Sequence, residues 1–387
     1  MAERVDFVVA GLGALGSAAC LELARRGHRV VGLDRFSLGH THGASHDTSR
    51  ILRHSYHTPA YVRLTQQAYD DWARLERDTG TDLVTVVGGL DLFPPEPAIS
   101  PADYVDSLRE VGIEFEVLDV GEVVRRWPQF RLPEGTTTLH QADAAIVPAG
   151  RGTRVMQEHA VRRGADLRPE APVLHVRDLG GDGVEVTIAA GTLHCRGLVV
   201  CADAWVNDVV RDLNVEIPLE VTLEQVTYFR PGDPALFEPG RFPLWIWMDD
   251  PSYYGFPCYG EATVKAAQDC GGPVVDPDRR TSERDAGMEG ALAEHLHGML
   301  PGAGDPIRSL RCQYTLTPDR DFVLAPVPDH PTVVVGLGAA HGFKFAPTFG
   351  RLLADLVTSG CTTTDVTPFR LDRPALVEPG YARHWLV

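Results

Sequence analysis

The opening of the chain limits its fold more than any other segment. Residues 5–10 form a short apolar run, long enough for one buried strand, and the hexapeptide GLGALG follows at 11–16. Ala18, Ala19, Leu21, Leu23 and Ala24 then carry a helical pattern that Gly27 ends, and 29–33 reads as a second strand closed by Asp34. Strand, glycine turn, helix and strand make a βαβ unit. Gly11, Gly13 and Gly16 allow a tight turn, a close approach of backbone to a pyrophosphate, and close packing of helix on strand. Ala14 and Leu15 open the helix, whose N-terminus favours phosphate oxygens. Asp34, with Arg35 beside it, is placed to accept hydrogen bonds from ribose hydroxyls. Its charge disfavours a 2′-phosphate, which sets NADP last, while FAD and NAD stay open. The competing reading is a glycine-rich turn in a purely structural βαβ unit.

Further along, the pattern is mixed. Residues 37–49, rich in Gly, His, Ser and Thr, read as a loop, and 61–77 has a helical apolar period that Gly80 stops. Residues 84–87 and 90–93 read as paired strands around Gly88-Gly89. A helix is expected over 102–111, strands over 184–188, 198–201 and 333–335, and a last helix near 348–358. The fold class expected is α/β (α+β): a discontinuous Rossmann-like nucleotide-binding domain with a β-rich domain inserted. Residues 1–83, 147–217 and 321–387 are assigned to the first, and 84–146 and 218–320 to the second.

Composition removes several functions. Acidic residues number 53 against 36 basic ones, a net charge of −17. A nucleic-acid binder or a partner for anionic membranes needs a positive field. No apolar run reaches a membrane span, and the charged N-terminus does not read as an export signal, so a cytoplasmic protein is expected. The 7 cysteines are odd in number and scattered, without a CxxC pair, which suits free thiols. His40, His42 and His46 fit no standard zinc spacing, and no metal is expected. Of the 36 Lys and Arg, only Lys265 and Lys344 are lysine.

Beyond the glycine turn, four segments carry possible chemistry: HTHGASHDTSR at 40–50, running on to Arg53; YYGFP at 253–257, with Lys265 beyond it; RCQYTLTPD at 311–319; and GLGAAHGFKFAP at 336–347. Arg50 and Arg53 suit a carboxylate, because a guanidinium binds one bidentately, although two solvated arginines among 34 are the ordinary reading. A lone Cys such as Cys312 is more often a small buried hydrophobe. The glycine-rich segment at 336–347 offers backbone N–H groups to a ligand. Spacing says no more than this.

Taken in order, these segments resemble the monomeric sarcosine oxidase and N-methyltryptophan oxidase group, flavoenzymes of the wider D-amino-acid-oxidase-like superfamily. The resemblance covers essentially the whole chain, and CxYTxTPD with HGFKFAP is its specific part. It implies FAD held covalently by Cys312 through a thioether, and a substrate carboxylate held by Lys344 and Arg53. It implies Lys265 near the flavin as an aid to reaction with oxygen, Arg50 against the flavin ring and His46 as a neighbouring loop residue. Tyr254 and Tyr314 match residues lining the substrate cavity. Ser45 and Thr48 in the loop, and Gly338, His341, Gly342, Phe343 and Lys344 in the last segment, fall beside the cofactor. The implied reaction is hydride transfer from the C–H beside a secondary amine to flavin, hydrolysis of the imine, and reduction of oxygen to hydrogen peroxide. The group also implies a monomer.

Two positions depart from the group. Asp269 stands where its sarcosine oxidases have a histidine, which puts sarcosine in doubt and raises the expectation of a substrate with a second amine or hydroxyl. Asp203 stands where glycine is common. Trp245 and Trp247 either line a larger cavity or pack in the core. Three rival functions stand beside an N-methyl amino acid oxidase: oxidation of a cyclic imino acid of the pipecolate or proline kind, a flavin dehydrogenase whose acceptor is not oxygen, and an NAD-dependent dehydrogenase.

Overall fold

A computed structural model describes residues 2–383 of the chain. Residue 1 and residues 384–387, the outer ends of two segments assigned to the cofactor domain, lie outside the described residues. The opening unit forms as its pattern requires. Strand Phe7–Ala10 runs through the glycine turn into helix Ala14–Arg25 and on to strand Val30–Leu33. Gly11 has φ +92°, and a Cβ there would stand 2.3 Å from the Cys201 carbonyl oxygen. A Cβ on Gly16 would stand 1.8 Å from the Gly11 carbonyl oxygen. Only glycine allows this approach of turn, helix and neighbouring strand.

The unit belongs to a six-stranded sheet ordered Asp166–Arg168, Val30–Leu33, Phe7–Ala10, Gly197–Val200, His330–Leu337 and Val323–Val327. Its pairings are parallel except that between the last two strands. Phe7 and Val9 enter one core with the helix Ala14–Arg25, and Val8 and Ala10 enter another on the opposite face. Burial on both faces explains the unbroken apolar strands, since each large apolar side chain contributes roughly 1.5–3 kcal/mol when fully buried. Helix Ala346–Ser359 lies so close to the first helix that a Cβ on Gly350 would meet the Ala18 backbone at 2.5 Å. Helix Pro59–Thr79 ends at Gly80 in the left-handed conformation, and Pro101–Val111 is helical as expected.

The second large sheet has eight strands, ordered Asp305–Leu316, Glu220–Arg230, Val264–Asp269, Ser252–Phe256, Leu244–Trp247, Gly89–Phe93, Thr137–Gln141 and Glu116–Leu118. One expectation fails here. The two runs around Gly88-Gly89 do not pair with each other. Thr85–Val86 joins Ala145–Val147 in a small sheet, whereas Gly89–Phe93 pairs with Thr137–Gln141 and Leu244–Trp247. Val87 and Gly88 N–H both donate to the Ala144 carbonyl, and Gly88 at φ +74° carries the chain across between sheets rather than back on itself. No helix among the described residues is long and apolar enough to cross a membrane.

Candidate active site

Period-two alternation on the eight-stranded sheet assembles much of the site. Register sets Ile246 opposite Tyr254, Tyr254 opposite Ala267, Ala267 opposite Val226, and Val226 opposite Leu310. Residues two apart on a strand share a face, so the same face carries Lys265 and Asp269 about Ala267, and Cys312 and Tyr314 beyond Leu310. The opposite parity places Trp245 in the core beneath Gly255, and Trp247 packs against His295. Neither tryptophan lines the cavity, where Ile246 stands instead.

One cavity of about 1460 Å³ joins this face to the glycine turn. That exceeds the roughly 300–1,000 Å³ of an ordinary ligand pocket and suits an extended dinucleotide with a small substrate. Gly11, Gly13, Ala14, Leu15, Asp34, Arg35 and Ser45 line one end, and Arg53, Tyr56, Asp269, Tyr314 and Lys344 the other. Cys312, Gly338, His341, Gly342 and Phe343 also line it. Gly16 is buried behind the turn, in contact with its backbone.

At the glycine end, the Asp34 carboxylate accepts from Leu12 N–H at 2.7 Å and Phe36 N–H at 2.8 Å, so it fixes the turn as well as facing the cavity. Ser45 Oγ accepts from Ala14 N–H at 2.9 Å. Arg35 pairs with Asp278 at 3.0 Å and lies over Trp205. Asp203, at φ +48°, is a cavity residue whose carboxyl burial pushes up, and Gln313 Nε2 lies 3.4 Å from it. His46 Nε2 and Gln313 Oε1 are buried in residues of the cavity wall without a protein partner. Buried polar atoms are rarely left so, and these fit a bound group carrying its own donors and acceptors. His40 and His42 pack on the Phe36 ring. Among the described residues no group of three or more His, Cys, Asp or Glu could hold a metal ion.

The loop after His46 is tied by Arg50, which donates to the carbonyls of Ala44, His46 and Ser49 at 2.8–3.0 Å. Burial, then Arg50, pulls the His46 imidazole down to about 4, so it is neutral at pH 7. Lys265 is buried; its Nζ donates to Asp47 Oδ2 at 2.8 Å and to the Ser49 carbonyl at 2.9 Å. Thr48 Oγ1 bonds Tyr228 OH at 2.9 Å. Burial pushes the Cys312 thiol up to about 11, against the pull of Arg50 and Lys265.

At the other end, Lys344 Nζ donates to Tyr56 OH at 2.8 Å and to the His341 carbonyl at 3.0 Å. Burial, then the Arg53 charge, lowers this amine to about 7. His341 Nε2 faces the Arg320 carbonyl at 2.9 Å and must donate there, which leaves Nδ1 to accept from Tyr56 OH at 3.2 Å. Arg53 is buried against Asp91, Nη1 to Oδ1 at 2.5 Å. Tyr254 and Tyr314 meet hydroxyl to hydroxyl at 3.4 Å, and burial raises both phenols. Asp269 does not stand as a free acid, because Arg320 holds both of its oxygens.

Asp47, Tyr56, Asp91, Tyr228 and Arg320 escaped the sequence reading. Asp91 had a signal, a single acid inside the apolar run GGLDLF. Tyr228 and Arg320 had none of their own.

The chain has clear relatives. Residues 6–356 match the family model for FAD dependent oxidoreductase. The monomeric sarcosine oxidase of Streptomyces avermitilis is 34% identical over 95% of this chain and 97% of its own. An N-methyl-L-tryptophan oxidase of Escherichia coli is 29% identical, over 96% and 99%. Among solved structures, NikD, an unusual amino acid oxidase essential for nikkomycin biosynthesis, superposes with a TM-score of 0.84 at 26% identity, over 95% of this chain and 97% of that one.

Proposed function

The chain belongs to the FAD dependent oxidoreductase family, and on that premise we propose that it oxidises secondary-amine carboxylates of the N-methyl amino acid kind. What carries the reading is the single cavity that joins the glycine turn to a buried cationic end formed by Arg53 and Lys344. Bound FAD would supply the hydride acceptor for the carbon beside the amine and a route for the electrons to a final acceptor, which we take to be oxygen, with hydrogen peroxide as its product.

The chain's own residues do the rest. Gly11, Gly13 and Gly16 admit the pyrophosphate, and Asp34 faces the ribose. Of the three Lys344 protons, two are engaged by Tyr56 and the His341 carbonyl, which aims the third at a substrate carboxylate. Arg53 adds charge there, moderated by Asp91. These cations oppose a further positive charge nearby, so the substrate binds with its amine neutral, its proton released to bulk solvent on entry, and has the free lone pair that hydride loss requires. Tyr254 and Tyr314 enclose the reacting carbon and keep water from it. Lys265 supplies a fixed charge for electron transfer to oxygen, and Cys312 supplies the thiol for a thioether to the flavin.

The test is anaerobic mixing of the holoenzyme with N-methyl, cyclic and primary amino acids while the visible flavin band is followed. Bleaching fastest with N-methyl amino acids, and peroxide on admitting air, supports the reading. Faster bleaching with cyclic imino acids would replace the substrate, and bleaching without peroxide would replace the acceptor.

A further inference from the structure

Asp47 combines three features. Its backbone has φ +78°, a left-handed conformation in which Asp is tolerated at some cost. Its carboxylate is buried, accepts from the Tyr228 hydroxyl, and meets Lys265 Nζ at 2.8 Å. It also lines the cavity, whereas Lys265 stands behind it, 3% exposed. Strain maintained at a cavity wall points to a task there.

We propose that Asp47 is a positioning residue for Lys265, whose carboxylate keeps that buried amine protonated and fixed beside the flavin site. The proposal rests on the reading of Lys265 given above. The groups facing the ammonium come from four elements. From the segment that carries Asp47 come Asp47, the Ser49 carbonyl, His46, and Arg50, whose Nη1 lies 4.0 Å from the same Asp47 oxygen. Strand Glu220–Arg230 brings Tyr228, strand Asp305–Leu316 brings Cys312, and strand Ser252–Phe256 brings the Phe256 ring, 4.7 Å from Nζ. Tyr228 and Cys312 stay neutral at pH 7 because burial raises both, and His46 stays neutral because burial lowers it. Arg50 repels the ammonium. Among the described residues Asp47 is therefore the one anion facing it, and burial of its carboxyl is outweighed by Lys265 and Arg50, which bring it to about 2. Burial lowers Lys265 to about 8 even with this partner present. Without the carboxylate, burial and Arg50 both act to strip the proton.

The two-lysine composition makes the test direct. Lysine carrying ¹³C at Cε gives two resonances in the holoenzyme, and Lys344→Met assigns them. The Lys265 resonance is expected to titrate near pH 8 in the wild type. In Asp47→Asn its midpoint should fall by at least about one pH unit, while the Lys344 resonance titrates as before. Asp47→Gly, which suits the left-handed backbone, should show the same fall and covers the case in which the Asn variant does not fold. A purely structural role would leave the midpoint in place, and an unmoved Lys265 midpoint in these variants overturns the proposal. The titration decides Asp47 whatever the reoxidation rate of Lys265→Met, so this proposal and the role of Lys265 fail separately.

Discussion

The guanidinium of Arg320 closes on both carboxylate oxygens of Asp269, Nη1 to Oδ2 at 2.9 Å and Nη2 to Oδ1 at 3.0 Å. An acid whose charge is already matched by a guanidinium on both oxygens exerts a weaker pull on a second amine of the substrate. Arg320 is 2% exposed, and its partner supports it on the cavity wall. Asp269→Asn should leave the preference between neutral and cationic N-alkyl amino acids unchanged. It should cost about 3 kcal/mol of stability in denaturant unfolding, because the buried guanidinium loses the carboxylate charge that meets it on two oxygens. A marked loss of activity on cationic substrates alone would show that Asp269 reads the substrate directly.

The amine of Lys344, lowered to about 7 by burial and then by Arg53, should make carboxylate binding pH-dependent. The amine is protonated below pH 7 and loses its charge as pH rises through that value. An amine-free carboxylate inhibitor, followed by its perturbation of the flavin spectrum, should bind up to about tenfold more weakly per pH unit above 7. The slope should vanish in Lys344→Met. A wild-type affinity flat between pH 6 and 9 would remove Lys344 from the carboxylate site.

Cys312 lies in the cavity wall on the same sheet face as Tyr314 and Tyr254, as a tether to bound flavin requires. Acid precipitation of the holoenzyme should leave yellow colour in the pellet, and Cys312→Ala should release it to the supernatant. Release from the wild type would exclude the thioether and leave the fold untouched.

Replacing Lys265 by Met removes a buried charge from beside Asp47. Flavin reduction by substrate, measured anaerobically by stopped flow, should change by no more than a few fold. Reoxidation by oxygen should slow by roughly 10²–10³, the loss typical of removing one preorganised stabilising group. An unaffected reoxidation rate would send the oxygen site elsewhere.

The parts legible from sequence are those in which neighbours along the chain cooperate. Gly11, Gly16 and Asp34 act within one βαβ unit, so the apolar run and glycine spacing reveal them. Lys265 and Lys344 stand out because the other basic residues are arginine. Electrostatic partners were hidden, since Arg53 finds Asp91 38 residues away, and Arg320 finds Asp269 51 residues away. No local pattern encodes such a pairing. The tryptophans at 245 and 247 were undecided for a related reason: which face of a strand points to the cavity is fixed by the sheet it joins, and a one-residue change of register would reverse it.

The six-stranded sheet beneath the glycine turn takes three of its four interior strands from residues 7–10, 197–200 and 330–337. During synthesis the glycine turn therefore emerges long before the strand that completes its floor. A nascent chain has the motif for cofactor but no finished cradle until His330–Leu337 has left the ribosome and inserted beside Gly197–Val200. Cofactor capture is thereby a late event, coupled to the closing of long chain loops rather than to local folding.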